Sequence, residues 1–194
     1  MPQSRTTRHL VLVGMMGSGK SSVGRALAAR SGAPYIDTDA AIEGRMRKTV
    51  SALFAEWGEA RFREFEREVL AGVLADERPA ILSTGGGVVV LPENRAALRA
   101  SGYIVYLRAS PEVLYQRLKR DTSRPLLQKP DPLQVLRDLE TARKAYYEEA
   151  DTIVDVSTMR PRVVAEEIWK RIPESVRCGL ESRLEREPGR TSPP

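Results

Sequence analysis

Short runs of apolar residues alternate along the chain with longer stretches whose apolar positions recur every three or four residues. The short runs, bounded by polar or glycine-rich segments, read as buried strands; the three-to-four spacing reads as amphipathic helix. Strands are predicted over residues 10–13, 35–36, 80–83, 103–107 and 152–156. Helices are predicted over 20–31, 39–46, 50–57, 59–75, 92–100, 111–120, 132–150 and 161–172. Pro92, Pro111, Pro132 and Pro161 stand at the first turns of four of these, where the missing N–H costs nothing. Strands alternating with helices predict βαβ units, an α/β fold and a parallel sheet.

The rhythm breaks in two places. Residues 121–131 join two helices through a polar, proline-punctuated stretch that is longer than a tight connection requires. It reads as a lid, about 117–132 with its flanks, or as an inert surface loop. Beyond Pro173 the composition turns polar and ends in Pro-Gly-Arg-Thr-Ser-Pro-Pro, so 174–194 is expected to be a disordered tail, with a weak helix over 180–186 as its one ordered element. Residues 1–8 read as a flexible leader, which leaves 9–173 as one domain.

Composition narrows the picture a little. The net charge of +5 comes mostly from arginines scattered among acids rather than gathered in a stripe, so a small anionic substrate fits better than nucleic acid. No apolar run approaches the ~20 residues of a membrane span. The single cysteine, Cys178, excludes an internal disulfide and fits a cytoplasmic protein. With one histidine, His9, in the first strand, a thiolate–imidazole zinc site is excluded.

The candidate chemistry begins with Gly14-Met15-Met16-Gly17-Ser18-Gly19-Lys20-Ser21, a complete phosphate-binding loop between a strand and a helix. Its glycines let successive N–H groups face one anion, and the helix turns its positive end to the same place. Gly17, Ser18, Gly19, Lys20, Ser21 and Ser22 are the candidate nucleotide-binding residues, with Lys20 reaching the outer phosphates and Ser21 joining a Mg²⁺ shell. Asp37-Thr38-Asp39 leaves the second strand at its carboxyl end, where open α/β sheets bind ligands. One aspartate can support the metal and the other a substrate hydroxyl; capping of the next helix is the competing reading. Gly85-Gly86-Gly87 follows the third strand and would let a ligand lie against backbone N–H groups, or is simply a flexible turn. Glu66 falls within the apolar stripe Phe62, Phe65, Val69 and Val73, and Arg63 three residues earlier is its candidate partner. Arg143 shares a face with Leu136, Leu139 and Tyr147, so it should meet a substrate anion or an internal carboxylate. Arg124 in the lid could reach a transferring phosphate, and Arg117 could cover a nucleotide base or simply neutralise a helix C-terminus.

In order and spacing, these motifs together with Val23-Gly24-Arg25, Gly58-Glu59, Phe62-Arg63 and Arg124-Pro125-Leu126-Leu127 resemble the shikimate kinases over residues 10–172. The resemblance implies a P-loop kinase fold: a five-stranded parallel sheet flanked by helices, with a substrate-binding helical region and a lid, usually monomeric. It implies phosphorylation of the 3-hydroxyl of shikimate by MgATP, in aromatic amino-acid biosynthesis. By the same resemblance Lys20, Arg124 and Asp39 are catalytic, and Asp37 holds Mg²⁺ through water beside Ser21. Asp39, Arg63, Arg143 and Gly85 to Gly87 bind shikimate, and Arg117 and Arg124 bind ATP. Ser22 stands where the family usually has threonine. The competing expectations are a gluconate kinase-like enzyme, a nucleotide-binding regulator without catalysis, and a nucleic-acid module using the basic tail.

Overall fold

The computed structural model describes residues 9–119 and 130–181. The expected leader, most of the expected lid and the last residues of the tail lie outside these. Five strands, β1 (His9–Val13), β2 (Tyr35–Asp37), β3 (Ile81–Ser83), β4 (Gly102–Arg108) and β5 (Thr152–Asp155), form one sheet in the order β2-β3-β1-β4-β5. Every neighbouring pair is parallel. β1 is central and buried at all five positions, as a continuous apolar run in a parallel sheet covered on both faces should be. Each fully buried leucine or valine here contributes roughly 1.5–3 kcal/mol relative to exposure.

The helices are α1 (Lys20–Ser31), α2 (Thr38–Met46), α3 (Val50–Ala75), α4 (Pro92–Ser101), α5 (Pro111–Leu118), α6 (Pro132–Tyr147), α7 (Pro161–Arg171) and α8 (Glu174–Glu181). Their starts are chemically marked. Thr49, Ser110 and Asp131 cap α3, α5 and α6 through side-chain oxygens, and proline opens α4 to α7. The two helices predicted over 50–57 and 59–75 form one run kinked at Gly58, whose φ of 74° and ψ of 174° interrupt the helix. Beside the main core, Ile42, Leu53, Phe62 and Val69 form a smaller one where α2 packs on α3. This is the helical region beside the site. A single 3-10 turn, Val88–Val90, which periodicity did not predict, follows the glycine run.

The expected disorder after Pro173 is corrected over 174–181. These residues form α8, which packs on α1 and β1 with Val176 and Leu180 buried. Spacing four apart puts both on one helical face, and that outweighs the polar composition on which the expectation rested. Helix 180–186 overlaps α8 only at its start; its remainder lies outside the described residues. No helix among the described residues is long and apolar enough to cross a membrane.

Candidate functional site

The phosphate loop is delivered by β1 and runs into α1, as its sequence context requires. Gly19 sits at φ 91° immediately before α1, a left-handed conformation that favours glycine. Lys20 is buried, and its ammonium donates to the carbonyls of Gly14 at 2.8 Å and Met15 at 2.9 Å, which folds its stem over the loop. Ser18 is buried, with no hydrogen-bond partner for its Oγ among the described residues.

Asp37 caps the next helix, as the competing sequence reading has it, and also meets the phosphate loop. Its Oδ1 caps α2 by accepting the N–H groups of Asp39 at 3.1 Å and Ala40 at 3.3 Å. Its Oδ2 accepts the Ser21 hydroxyl and the Tyr35 hydroxyl, each at 2.9 Å. A single carboxylate thus orients the serine of the phosphate loop and the start of the helix that carries Asp39. A cleft of about 190 Å³ opens here, lined by Gly17, Gly19, Lys20, Ser21, Ser22, Asp37, Asp39, Ser83, Thr84 and Gly86 among others. Phosphate-loop donors and the Asp37/Asp39 pair therefore share one cavity.

Behind Asp39, α3 brings in Arg63 and Glu66. The Arg63 guanidinium donates to Glu66 Oε2 at 2.8 Å and to Glu59 Oε1 at 2.9 Å. The partnership expected from spacing is therefore present. Glu66 is only 1% exposed, and its Oε1 has no hydrogen-bond partner among the described residues. Burial pushes the Glu66 pKa up; Arg63 opposes this and Asp39 adds to it. Arg63 also shifts up, because Glu66 and then Glu59 outweigh the burial that works against its charge. The two directions conflict, since Arg63's rise draws on an ionised Glu66 while burial resists that ionisation. A guanidinium keeps its proton in any case, so the direction with consequences is that of Glu66.

The glycine run lies against this cluster with no room to spare. A methyl group on Gly85 would stand 2.5 Å from Asp39 Oδ1 and 2.9 Å from Glu66 Oε1. One on Gly87 would stand 2.1 Å from Arg63 Nη2. The glycines are there because carboxylate and guanidinium groups need the space. Thr38 Oγ1 accepts the Gly85 N–H at 3.1 Å, tying the run to α2. From α6, buried Arg143 donates to Gly86 O at 3.3 Å and Tyr147 donates to the same oxygen at 2.5 Å. Tyr147 stacks on Tyr106 with centroids 4.9 Å apart, and burial pushes both phenols up to about 12.

Asp37, Asp39, Arg63, Arg143, Gly85, Gly86, Gly87 and the phosphate loop are thus brought to one end of the sheet. Arg117 reaches its edge, donating to Gly17 O at 3.3 Å and to Val156 O at 2.5 Å. Arg124 lies outside the described residues. Glu66 and Thr38 were not among the site residues expected from sequence. The signal for Glu66 was legible, a carboxylate within an apolar stripe; Thr38 carried none beyond its place between two aspartates.

A family model described as shikimate kinase matches residues 16–173. The shikimate kinase of Thermodesulfovibrio yellowstonii is 39% identical over 163 residues, covering 84% of this chain and 94% of that protein. That of Symbiobacterium thermophilum is 47% identical over 144 residues, covering 73% and 82%. Among solved structures, shikimate kinase from Acinetobacter baumannii in complex with shikimate superposes with a TM-score of 0.81 at 37% identity, covering 86% of this chain and 93% of that one.

Proposed function

The chain belongs to the shikimate kinase family, and on that premise we propose how its own residues carry the family's reaction, ATP-dependent phosphorylation of shikimate. The observation that carries the proposal is the shared cavity, in which Lys20 and Ser21 of the phosphate loop face Asp37 and Asp39. Phosphoryl transfer asks the protein mainly for positioning and charge neutralisation. The loop N–H groups and Lys20 take the triphosphate. Asp39 orients the shikimate 3-hydroxyl and accepts its proton as the new O–P bond forms and the bond to ADP breaks. Arg63, held by Glu66, and Arg143 pair with the shikimate carboxylate, a planar anion suited to guanidinium forks. Gly85 to Gly87 let the ring lie close to the backbone.

The donor set suits Mg²⁺. The Ser21 hydroxyl and the Asp37 carboxylate are hard oxygen ligands, 2.9 Å apart in the cleft. Among the described residues no group of three or more His, Cys, Asp or Glu could cage an ion. Mg²⁺ would be held there by the Ser21 hydroxyl and, through water, by the Asp37 carboxylate, with phosphate oxygens as its other ligands. When bound, Mg²⁺ neutralises charge on the outer phosphates.

The family resemblance assigns Arg117 to the adenine and Arg124 to the ATP phosphates. The proposal takes 9–173, with α8 packed on it, as one kinase domain with a lid at about 117–132, acting as a cytoplasmic monomer. The deciding experiment is ADP release with shikimate, gluconate and nucleoside monophosphates as acceptors, with and without Mg²⁺. Release that depends on both shikimate and Mg²⁺ is expected. Preference for gluconate, or ATP binding without turnover on any acceptor, would overturn the proposal.

A further inference from the structure

The carbonyl oxygens of the glycine run and the 3-10 turn after it are all engaged. Gly85 O and Gly87 O accept the N–H groups of Val88 at 3.2 Å and Val90 at 3.0 Å. Gly86 O accepts Arg143 and Tyr147 from α6. Val88 O accepts the amide of Asn94, which is buried in α4, at 3.1 Å. The last two carbonyls, Val89 O at 2.7 Å and Val90 O at 3.2 Å, belong to one guanidinium, that of Arg95.

Arg95 does more than close the turn. Its guanidinium carbon lies 4.2 Å from the centroid of the Tyr146 ring, and its Nε is 3.5 Å from Glu149 Oε1. Tyr146 lies in α6 between the two site residues Arg143 and Tyr147, and Glu149 lies just beyond the end of that helix. One planar cation on α4 therefore grips both elements that face the substrate: the turn that ends the glycine run, and the helix that supplies Arg143. Hydrogen bonds use the edge of the fork and the aromatic ring uses its face, so neither contact displaces the other. A lysine in its place could offer its charge but not both edge and face.

We infer that Arg95 is a positioning residue for shikimate binding, setting the distance between the Gly85–Gly87 backbone and Arg143 without touching substrate or nucleotide. The kinetic part of this inference rests on the assignment of shikimate as substrate; the backbone part does not. Arg95→Met keeps an apolar stem but removes the fork. In that variant the amides of Val88 and Val90, which close the turn, should exchange with solvent about tenfold faster, while those of β1 and β3 stay at wild-type rates. The KM for shikimate should rise roughly tenfold and that for ATP by less than about twofold. Arg95→Lys should recover part of both effects. Tyr146→Leu, which removes only the ring, should move the same amides in the same direction by a smaller factor, and it serves as the decisive variant if Arg95→Met does not fold. Unchanged exchange at Val88 and Val90, or an equal rise in both KM values, would overturn the role of Arg95. Wild-type protein without shikimate-dependent turnover would instead overturn the substrate assignment, leaving the exchange measurement to decide the positioning role.

Discussion

Adding one methyl group at Gly87 should cost this enzyme its grip on shikimate while sparing the fold. The backbone there has φ −96° and ψ −3°, which alanine adopts without strain. What alanine cannot have is the space. Its Cβ would lie 2.1 Å from Arg63 Nη2 and 2.3 Å from both Cζ and Nη1. Ordinary contact needs about 3.5 Å, so the guanidinium must withdraw by more than about 1 Å. Arg63 cannot yield freely, because Glu66 and Glu59 hold it at 2.8 and 2.9 Å and the rings of Phe54 and Phe62 lie 5.7 and 5.5 Å from its carbon. A charge-assisted hydrogen bond contributes about 1.5–3 kcal/mol, so losing its alignment with a substrate carboxylate predicts a KM increase of roughly tenfold to a hundredfold. Initial rates of ADP release, with shikimate varied at saturating ATP and then ATP varied at saturating shikimate, measure both constants. The shikimate KM should rise alone. In an Arg63→Ala background the same alanine should have little further effect, since the group it collides with is gone. A shikimate KM unchanged by Gly87→Ala, or an undiminished effect without Arg63, would refute the reasoning.

Three other outcomes are expected. Asp39→Asn should lower kcat by about 10²–10⁴-fold with the melting curve retained, and near-normal turnover would remove Asp39 from proton transfer. Burial raises the pKa of Glu66, so above the ordinary glutamate range the folded state holds that proton more tightly than the unfolded chain. This contribution to stability is full below the unfolded value and is lost as pH rises through the raised folded value. Glu66→Gln should flatten that part of the curve of urea midpoint against pH, and an unaltered slope would show that Glu66 does not titrate there. Leu180→Ala should destabilise the protein by about 2–5 kcal/mol in urea while leaving both KM values alone; an unchanged midpoint would show that α8 adds nothing to the core.

Much of the architecture was readable because it is a property of short stretches. Apolar runs marked all five strands, and prolines marked the starts of α4 to α7, since the groups that decide them are neighbours in the chain. The break predicted between 57 and 59 survives as the kink at Gly58, a local backbone feature, although the two pieces run on as one α3. α8 was missed because disorder was judged from average composition, whereas burial depends on which face Val176 and Leu180 present and on what lies opposite.

By itself the chain determined its phosphate loop, its alternating elements and the pairing of Arg63 with Glu66, since backbone geometry sets the distance between residues close in sequence. Tertiary packing alone decided that Gly87 would leave room for Arg63, that Glu66 would stand beside Gly85 and Asp39, and that Arg95 would join the 3-10 turn to α6. Those separations are set by how sheet and helices stack, and no local pattern encodes an ångström of clearance between residues far apart along the chain.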